Sequence, residues 1–310
     1  MKRRSVPGVD SAADVVVLES RALRLEVDPA HGGSLRSMRT PGARRDWLFF
    51  DQGRRPARLT GRESFDDVWS GGFEELFPND APGRFEGRDL PDHGELWNAP
   101  LSVVSQDEQS LLLRRECRSV PARFEKRIAL AGAGLVLDYR ITNASREPFH
   151  FLFKLHPAMD VQAGDRILLP GGRVNPVDQE FGTRFARGPA AWPQVPDREG
   201  RPFDLSLVPP RSSAAREFVY VSDLPAGWCG IERAGGRERI IFEFPLEVLP
   251  FCWLFMTFGG WRDYYTVVLE PCTNMPKDLG AAVAAGQCAR LDAGGTLECA
   301  VTIRVESDSV

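Results

Sequence analysis

The stretch FEKRIALAGAGLVLDYRITN, residues 124–143, decides the fold. In FEKRIAL (124–130) and LVLDYRI (135–141) apolar and polar side chains alternate. A half-buried strand produces this period of two, because successive side chains point to opposite faces of a sheet. AGAG at 131–134 supplies the turn between the two runs. The stretch predicts a pair of adjacent antiparallel strands with one face turned to a core.

The same signal recurs in both directions along the chain. VVVLES (15–20) and ALRLEVD (22–28) precede a glycine turn at HGGSLRSM (31–38), from which Leu35 leads into another extended run. LSVVS (101–105), SLLLRRE (110–116) and FHFLFKL (149–155) flank the central pair. EFVYVS (217–222), RIIFEF (239–244), CWLFMTF (252–258), YTVVLEP (265–271) and TLECAVTIRV (296–305) complete the series. Helical patterning is confined to KDLGAAVAAGQ (277–287), with Thr273 or Asn274 near its start, and to a turn or two within ESFDDVWSGGF (63–73). The 29 glycines and 24 prolines punctuate the strands. So many strands without a fixed repeat predict an all-β fold over 1–310, a large antiparallel β-sandwich in one domain. Residues 1–14 read as a flexible tail, and 170–215 as an irregular insertion.

Composition narrows the function. An apolar fraction of 43% provides for an ample core. A net charge of −4 favours neither nucleic acid nor an anionic membrane as partner. MKRRSVPGVD is basic for a few residues but no apolar segment follows, so no signal peptide is expected. EFPLEVLPFCWLFMTFGG is broken by Glu243, Pro245, Glu247 and Pro250, so it does not read as a bilayer span. The six cysteines form no CxxC pair and have no zinc-finger spacing. Cys229, Cys252 and Cys299 read as small buried hydrophobes of a reduced, cytoplasmic protein.

Phosphate-loop, nucleophile-elbow, HExxH and EF-hand signatures are absent, so neither cofactor nor metal is expected. Three motifs remain. In PDHGELW (91–97) His93 follows Asp92 in a Pro/Gly-punctuated turn beside Trp97. In FKLHPAMD (153–160) His156 closes an apolar run, and Pro157 biases it to an extended backbone. In VVLEPCTNMP (267–276) Glu270 ends another apolar run. A carboxylate placed there is either ion-paired or carries a raised pKa and a task. Each has a structural alternative: a loop histidine capped by Asp92, a satisfied core imidazole, an ordinary strand-end glutamate. Trp69, Trp97, Trp253 and Trp261 fall near these motifs, and sugars stack their C–H faces on such rings.

Taken in order, these segments resemble the aldose 1-epimerase (galactose mutarotase-like) family. HGGSLRSM is similar to its N-terminal glycine turn, GGFEELFPND (71–80) to its LFP-N segment, and PDHGELW to its HG motif. FKLHP is similar to its HP motif, LEPCTNMP to its E-P motif, and LGAAVAAGQCARLDAGGTLECAVTIRV to its closing strand pair. The resemblance implies a supersandwich with a sugar groove on one concave sheet. It also implies interconversion of the α and β anomers of a free aldose. Carried over motif by motif, Glu270 is the base at the C1 hydroxyl and His156 the acid at the ring oxygen. His93 is the second histidine, on the ring oxygen or a neighbouring hydroxyl, with Trp97 and Trp261 near the groove. Where many members have Asn-Arg, this chain has Asn79-Asp80, leaving Arg84, Arg62 or Lys154 to replace the arginine beside Asn79. Asp178 or Glu180 would grip sugar hydroxyls. The implied partner is a small-molecule carbohydrate, bound by a monomer or homodimer without cofactor. Alternatives are an epimerase for a hexose phosphate, sulfonated sugar or sugar acid, a non-catalytic sugar-binding protein, and a glycoside hydrolase or lyase. The motifs offer a hydrolase no second carboxylate.

Overall fold

The 124–143 pair forms as the alternation requires. Ala122–Ala131 and Gly134–Asn143 are antiparallel, in register from Gly134↔Ala131 to Asn143↔Ala122. Phe124, Ile128, Leu135, Leu137 and Ile141 are buried, while Arg123, Arg127 and Arg140 on the opposite phase are exposed. One residue breaks the pattern. Lys126 lies on the inward phase and is fully buried, its Nζ 2.9 Å from Glu75 Oε2 and 3.0 Å from the Gly33 carbonyl. Glu75 Oε1 accepts from the Tyr139 hydroxyl at 2.7 Å. Burial pushes the Glu75 carboxyl up and the Lys126 ammonium down, against their mutual attraction.

The computed structural model describes residues 15–54, 64–178, 180–186 and 188–307. The tail expected over 1–14 and Arg62 lie outside the described residues. Two antiparallel sheets form a sandwich. The eight-stranded sheet runs, in spatial order, Arg166–Leu168, Trp228–Glu232, Glu238–Glu243, Thr296–Ser307, Gly134–Asn143, Ala122–Ala131, Ser110–Glu116, Ser102–Gln106. The ten-stranded sheet runs Val16–Glu19, Arg24–Asp28, Ser34–Arg39, Phe73–Leu76, Lys154–Asp160, Tyr265–Cys272, Phe251–Phe258, Ala215–Ser222, Arg173–Pro176, Ala190–Ala191. A core of side chains such as Phe73, Leu155, Leu254 and Leu269 packs between the sheets against Phe124, Leu137 and Phe242. A second, aromatic cluster of Trp69, Trp97, Tyr220, Trp253 and Tyr264 covers the other face of the ten-stranded sheet. Its central strands are therefore buried on both sides, which is why YTVVLEP reads as an unbroken apolar run.

Three readings change. FHFLFKL is two strands: Phe149–Phe151 pairs with Ala289–Leu291, and Lys154–Asp160 enters the ten-stranded sheet. The chain turns out of one ladder at Leu152 and Phe153, whose N–H groups donate to the Pro78 carbonyl at 2.7 Å and Thr273 Oγ1 at 2.9 Å. The second helix is Leu279–Ala284, capped by Asp278, which accepts from the Ala281 N–H at 2.7 Å. Asn274 is fully buried and holds the Ala289 N–H and Cys288 instead. The 170–215 segment contains strands, two of which extend the edge of the ten-stranded sheet. Phe65–Val68 is the helical turn expected within 63–73. No helix among the described residues is long and apolar enough to cross a membrane.

Candidate active site

The site begins with an interruption in a sheet. Lys154–Asp160 pairs with Tyr265–Cys272 at Lys154↔Cys272 and again from Ala158↔Val268, but not between. Pro157, which has no N–H to offer a ladder, falls in the gap. Carried across it, the register sets His156 opposite Glu270. His156 is thus mid-strand rather than at a strand end, because the strand resumes pairing after Pro157 and runs on to Asp160. Trp253 is paired with Glu270 on the other side. Alternation puts Lys154, His156, Glu270 and Trp253 on the same face, away from the sandwich core.

Glu270 is 1% exposed, and its Oε2 lies 2.5 Å from Lys154 Nζ. The same ammonium is 2.5 Å from Asp80 Oδ2 and sits 4.1 Å from the Trp253 ring centroid. Burial opposes the Lys154 charge, but Asp80 and then Glu270 outweigh it and hold its pKa above the usual value. The Glu270 carboxyl is raised: burial dominates and Lys154 offsets only part of it. Asp80 is lowered, because Lys154 and His93 outweigh its burial.

PDHGELW brings the second half. His93 and Gly94 both have positive φ, 56° and 71°. The turn presses on the Phe77 carbonyl, which accepts the Glu95 N–H at 2.8 Å. A Cβ on Gly94 would stand 2.3 Å from that oxygen. Gly94→Ala is therefore expected to cost about 1–3 kcal/mol through backbone strain alone. Thermal unfolding followed by circular dichroism checks this, and an unchanged midpoint would refute it. His93 Nδ1 lies 2.7 Å from Asp92 Oδ1, and its ring stacks on Phe65 at 4.0 Å and 10°. Burial lowers the His93 pKa, but Asp80 and Asp92 outweigh it and the net shift is upward. His156, 6.4 Å from His93 between ring centroids, is the opposite case. Its burial, then Lys154 and His93, depress its pKa well below the usual imidazole value. Its Nδ1 is buried and has no hydrogen-bond partner among the described residues.

These groups line a cavity of about 240 Å³. His93, His156, Glu270, Lys154 and Asp80 form its charged end; Trp261, Phe255 and Phe181, with Asp178, form an aromatic rim. Of the residues singled out in the sequence, Glu270, His156, His93, Lys154, Asp178 and Trp261 meet here. Asn79, Trp97 and Arg84 do not. Asn79 is fully buried and staples the following loop, donating to the Pro91 carbonyl at 2.6 Å and the Ala81 carbonyl at 3.0 Å. Trp97 stands behind Phe65, edge-on at 5.0 Å, with its indole N–H on the Asp92 carbonyl at 3.0 Å. The Arg84 side chain is 74% exposed on the Gly83–Phe85 strand, near Asp89. Glu180 is exposed and outside the lining. Trp69, one of the rings noted near the motifs, also lines the cavity, as do Asp80, Asp66, Phe65 and Lys277, which were not picked out as contacts. Asp80 had a signal: an acidic residue where an arginine was expected, which the buried Lys154 now explains.

No protein-family profile matches the chain, and no curated protein matches it by sequence. Solved structures do match. The Slr1438 protein from Synechocystis sp. PCC 6803 shares 19% identity at a TM-score of 0.72, covering 99% of this chain and 100% of that one. A candidate aldose 1-epimerase from Escherichia coli K12 shares 19% at 0.70, covering 95% and 99%. A galactose mutarotase related enzyme from Lactobacillus acidophilus shares 12% at 0.68, covering 95% and 100%. Over nearly its whole length the chain has the galactose mutarotase-like fold.

Proposed function

We propose that the protein is an aldose 1-epimerase-like enzyme that interconverts the anomers of an uncharged aldose. The observation that carries this reading is the convergence of the buried Glu270 carboxylate and two imidazoles, His93 and His156, on a single small cavity, where Asp80, another buried carboxylate of the lining, is tied to Lys154. Ring opening needs a proton taken from the C1 hydroxyl and one given to the ring oxygen, and positioned side chains supply such transfers. Lys154 occupies Glu270 Oε2, and no hydrogen bond among the described residues goes to Oε1, the oxygen offered as base. The aromatic rim supports a pyranose face. The hexose phosphate alternative is disfavoured. The described lining residues include no arginine, Lys154 is already shared by two carboxylates, and Asp66 and Asp178 outnumber Lys277, the other lining lysine.

Proton NMR exchange spectroscopy on a panel of aldoses and their 6-phosphates tests the reading. The expected result is faster anomer exchange of at least one neutral aldose and none for the phosphates. Binding of sugars without any acceleration would overturn it in favour of a binding protein.

A further inference from the structure

We propose that Asp92 is a positioning residue that aims His93 at the sugar ring oxygen, making His93, rather than His156, the proton donor. This deepens the mutarotase reading and rests on it. The two Asp92 oxygens do different work. Oδ1 takes His93 Nδ1 at 2.7 Å, while Oδ2 accepts the Phe65 N–H at 3.0 Å, at the start of the helical turn Phe65–Val68. Phe65 in turn lies flat on the His93 ring. One carboxylate thus fixes the imidazole at its edge and the ring that covers its face. With Nδ1–H engaged by Asp92, Nε2 is the nitrogen left for a ligand.

The charges around the two histidines differ. Facing His93 are Asp92 beside it, Asp80 after the Phe73–Leu76 strand, Asp66 on the helical turn, Glu270 from Tyr265–Cys272, and Lys154 and His156 from Lys154–Asp160. Acidic groups outnumber the cation, so an imidazolium is stabilised there. His156 has no hydrogen-bond partner on Nδ1 among the described residues, meets Phe65 and Trp69 edge to face at 5.6 and 5.8 Å, and is repelled by Lys154. It stays neutral and serves as a hydrogen-bonding group for a hydroxyl. In the step, the Glu270 carboxylate takes the proton of the C1 hydroxyl and C1 becomes an aldehyde. The electron pair of the broken C1–O bond passes to the ring oxygen, which takes the Nε2 proton of His93. After rotation about C1–C2 the reverse transfers close the ring on the other face and restore both groups.

The test is Asp92→Asn in the full chain. A donor works only while protonated, so turnover falls as pH rises through the His93 pKa. Without the Asp92 charge this fall should move to lower pH, with kcat near neutrality down about tenfold or more and KM little changed. The His93 Cε1–H resonance should titrate at lower pH in the variant, and above His156 in the unaltered protein. Removing the Asp92 charge lowers the His93 titration whatever His93 does, so the alkaline limb decides: a limb that stays in place while the His93 titration moves would overturn the proposal, and that is what a merely structural role would give. If Asp92→Asn does not fold, His93→Gln and His156→Gln decide: the alkaline limb must vanish in the first and persist in the second, and the reverse overturns the proposal. If the unaltered protein accelerates no sugar, the mutarotase reading fails, and the proton-donor role with it.

Discussion

Replacing Glu270 with Gln is expected to slow anomer exchange by about 10²–10⁴-fold while leaving the protein folded. The amide keeps the volume and can still accept from Lys154, but it cannot take a proton. Lys154 retains Asp80 at 2.5 Å, so its ammonium is not stranded. Stability should hold or rise slightly, for a stated reason. Burial raises the Glu270 carboxyl above its ordinary value even with Lys154 beside it. A carboxyl with a higher pKa folded than unfolded weakens the fold once the pH passes the unfolded value, about 4.3. The neutral amide removes that cost, the exchange of stability for activity often found in functional sites. In the unaltered protein the same raised pKa sets the acid limb of the rate profile. Activity falls as pH falls through it, and the limb disappears in the variant. Anomer exchange by NMR, with thermal unfolding alongside, checks both halves. A fully active Glu270→Gln protein would remove Glu270 from the mechanism.

The fold was legible wherever one face of a strand stays half wet. FEKRIAL and LVLDYRI gave their register away because their outward positions carry charge, Glu125 and Arg127 in the first and Asp138 and Arg140 in the second. FHFLFKL did not show its break, since both halves are buried and apolar and the change of ladder depends on Pro78 and Thr273, far away in sequence. For the site, motifs located Glu270, His156 and His93, but only the register across an interrupted ladder brings the first two opposite each other. Trp97 was picked by nearness to a motif, Asn79 by the LFP-N resemblance, and Arg84 as a stand-in for the arginine missing beside Asn79. The left-handed turn at His93 and Gly94 aims the imidazole outward and swings Trp97 behind Phe65, which local sequence does not encode. Lys126 was visible and passed over: the period of two assigns it to the core with Phe124 and Ile128, where a lysine needs a buried partner.

That partner makes the second large effect. Lys126→Met is expected to destabilise the protein by about 3–5 kcal/mol, the usual result of stranding one member of a buried ion pair. Glu75 would keep only the Tyr139 hydroxyl, at 2.7 Å. Its carboxyl is already raised with Lys126 present, and removing the cation raises it further. The folded variant then holds a proton that the unfolded chain releases, so its stability declines as pH rises above the unfolded carboxyl value. The deficit should therefore be smaller near pH 5 than near pH 8, as urea unfolding at the two pH values would reveal. Adding Glu75→Gln, which still accepts from Tyr139, should recover most of the loss, because no charge is left in the core. A single-variant loss below about 1 kcal/mol, or no recovery in the double variant, would show that the pair is not isolated from water. Recovery would assign the pair a different role from net stabilisation. Lys126 belongs to the eight-stranded sheet and Glu75 to the ten-stranded one, so their bond fixes how the layers align. Glu75 pairs with Leu155, next to His156, and that alignment therefore reaches the strand that carries the site.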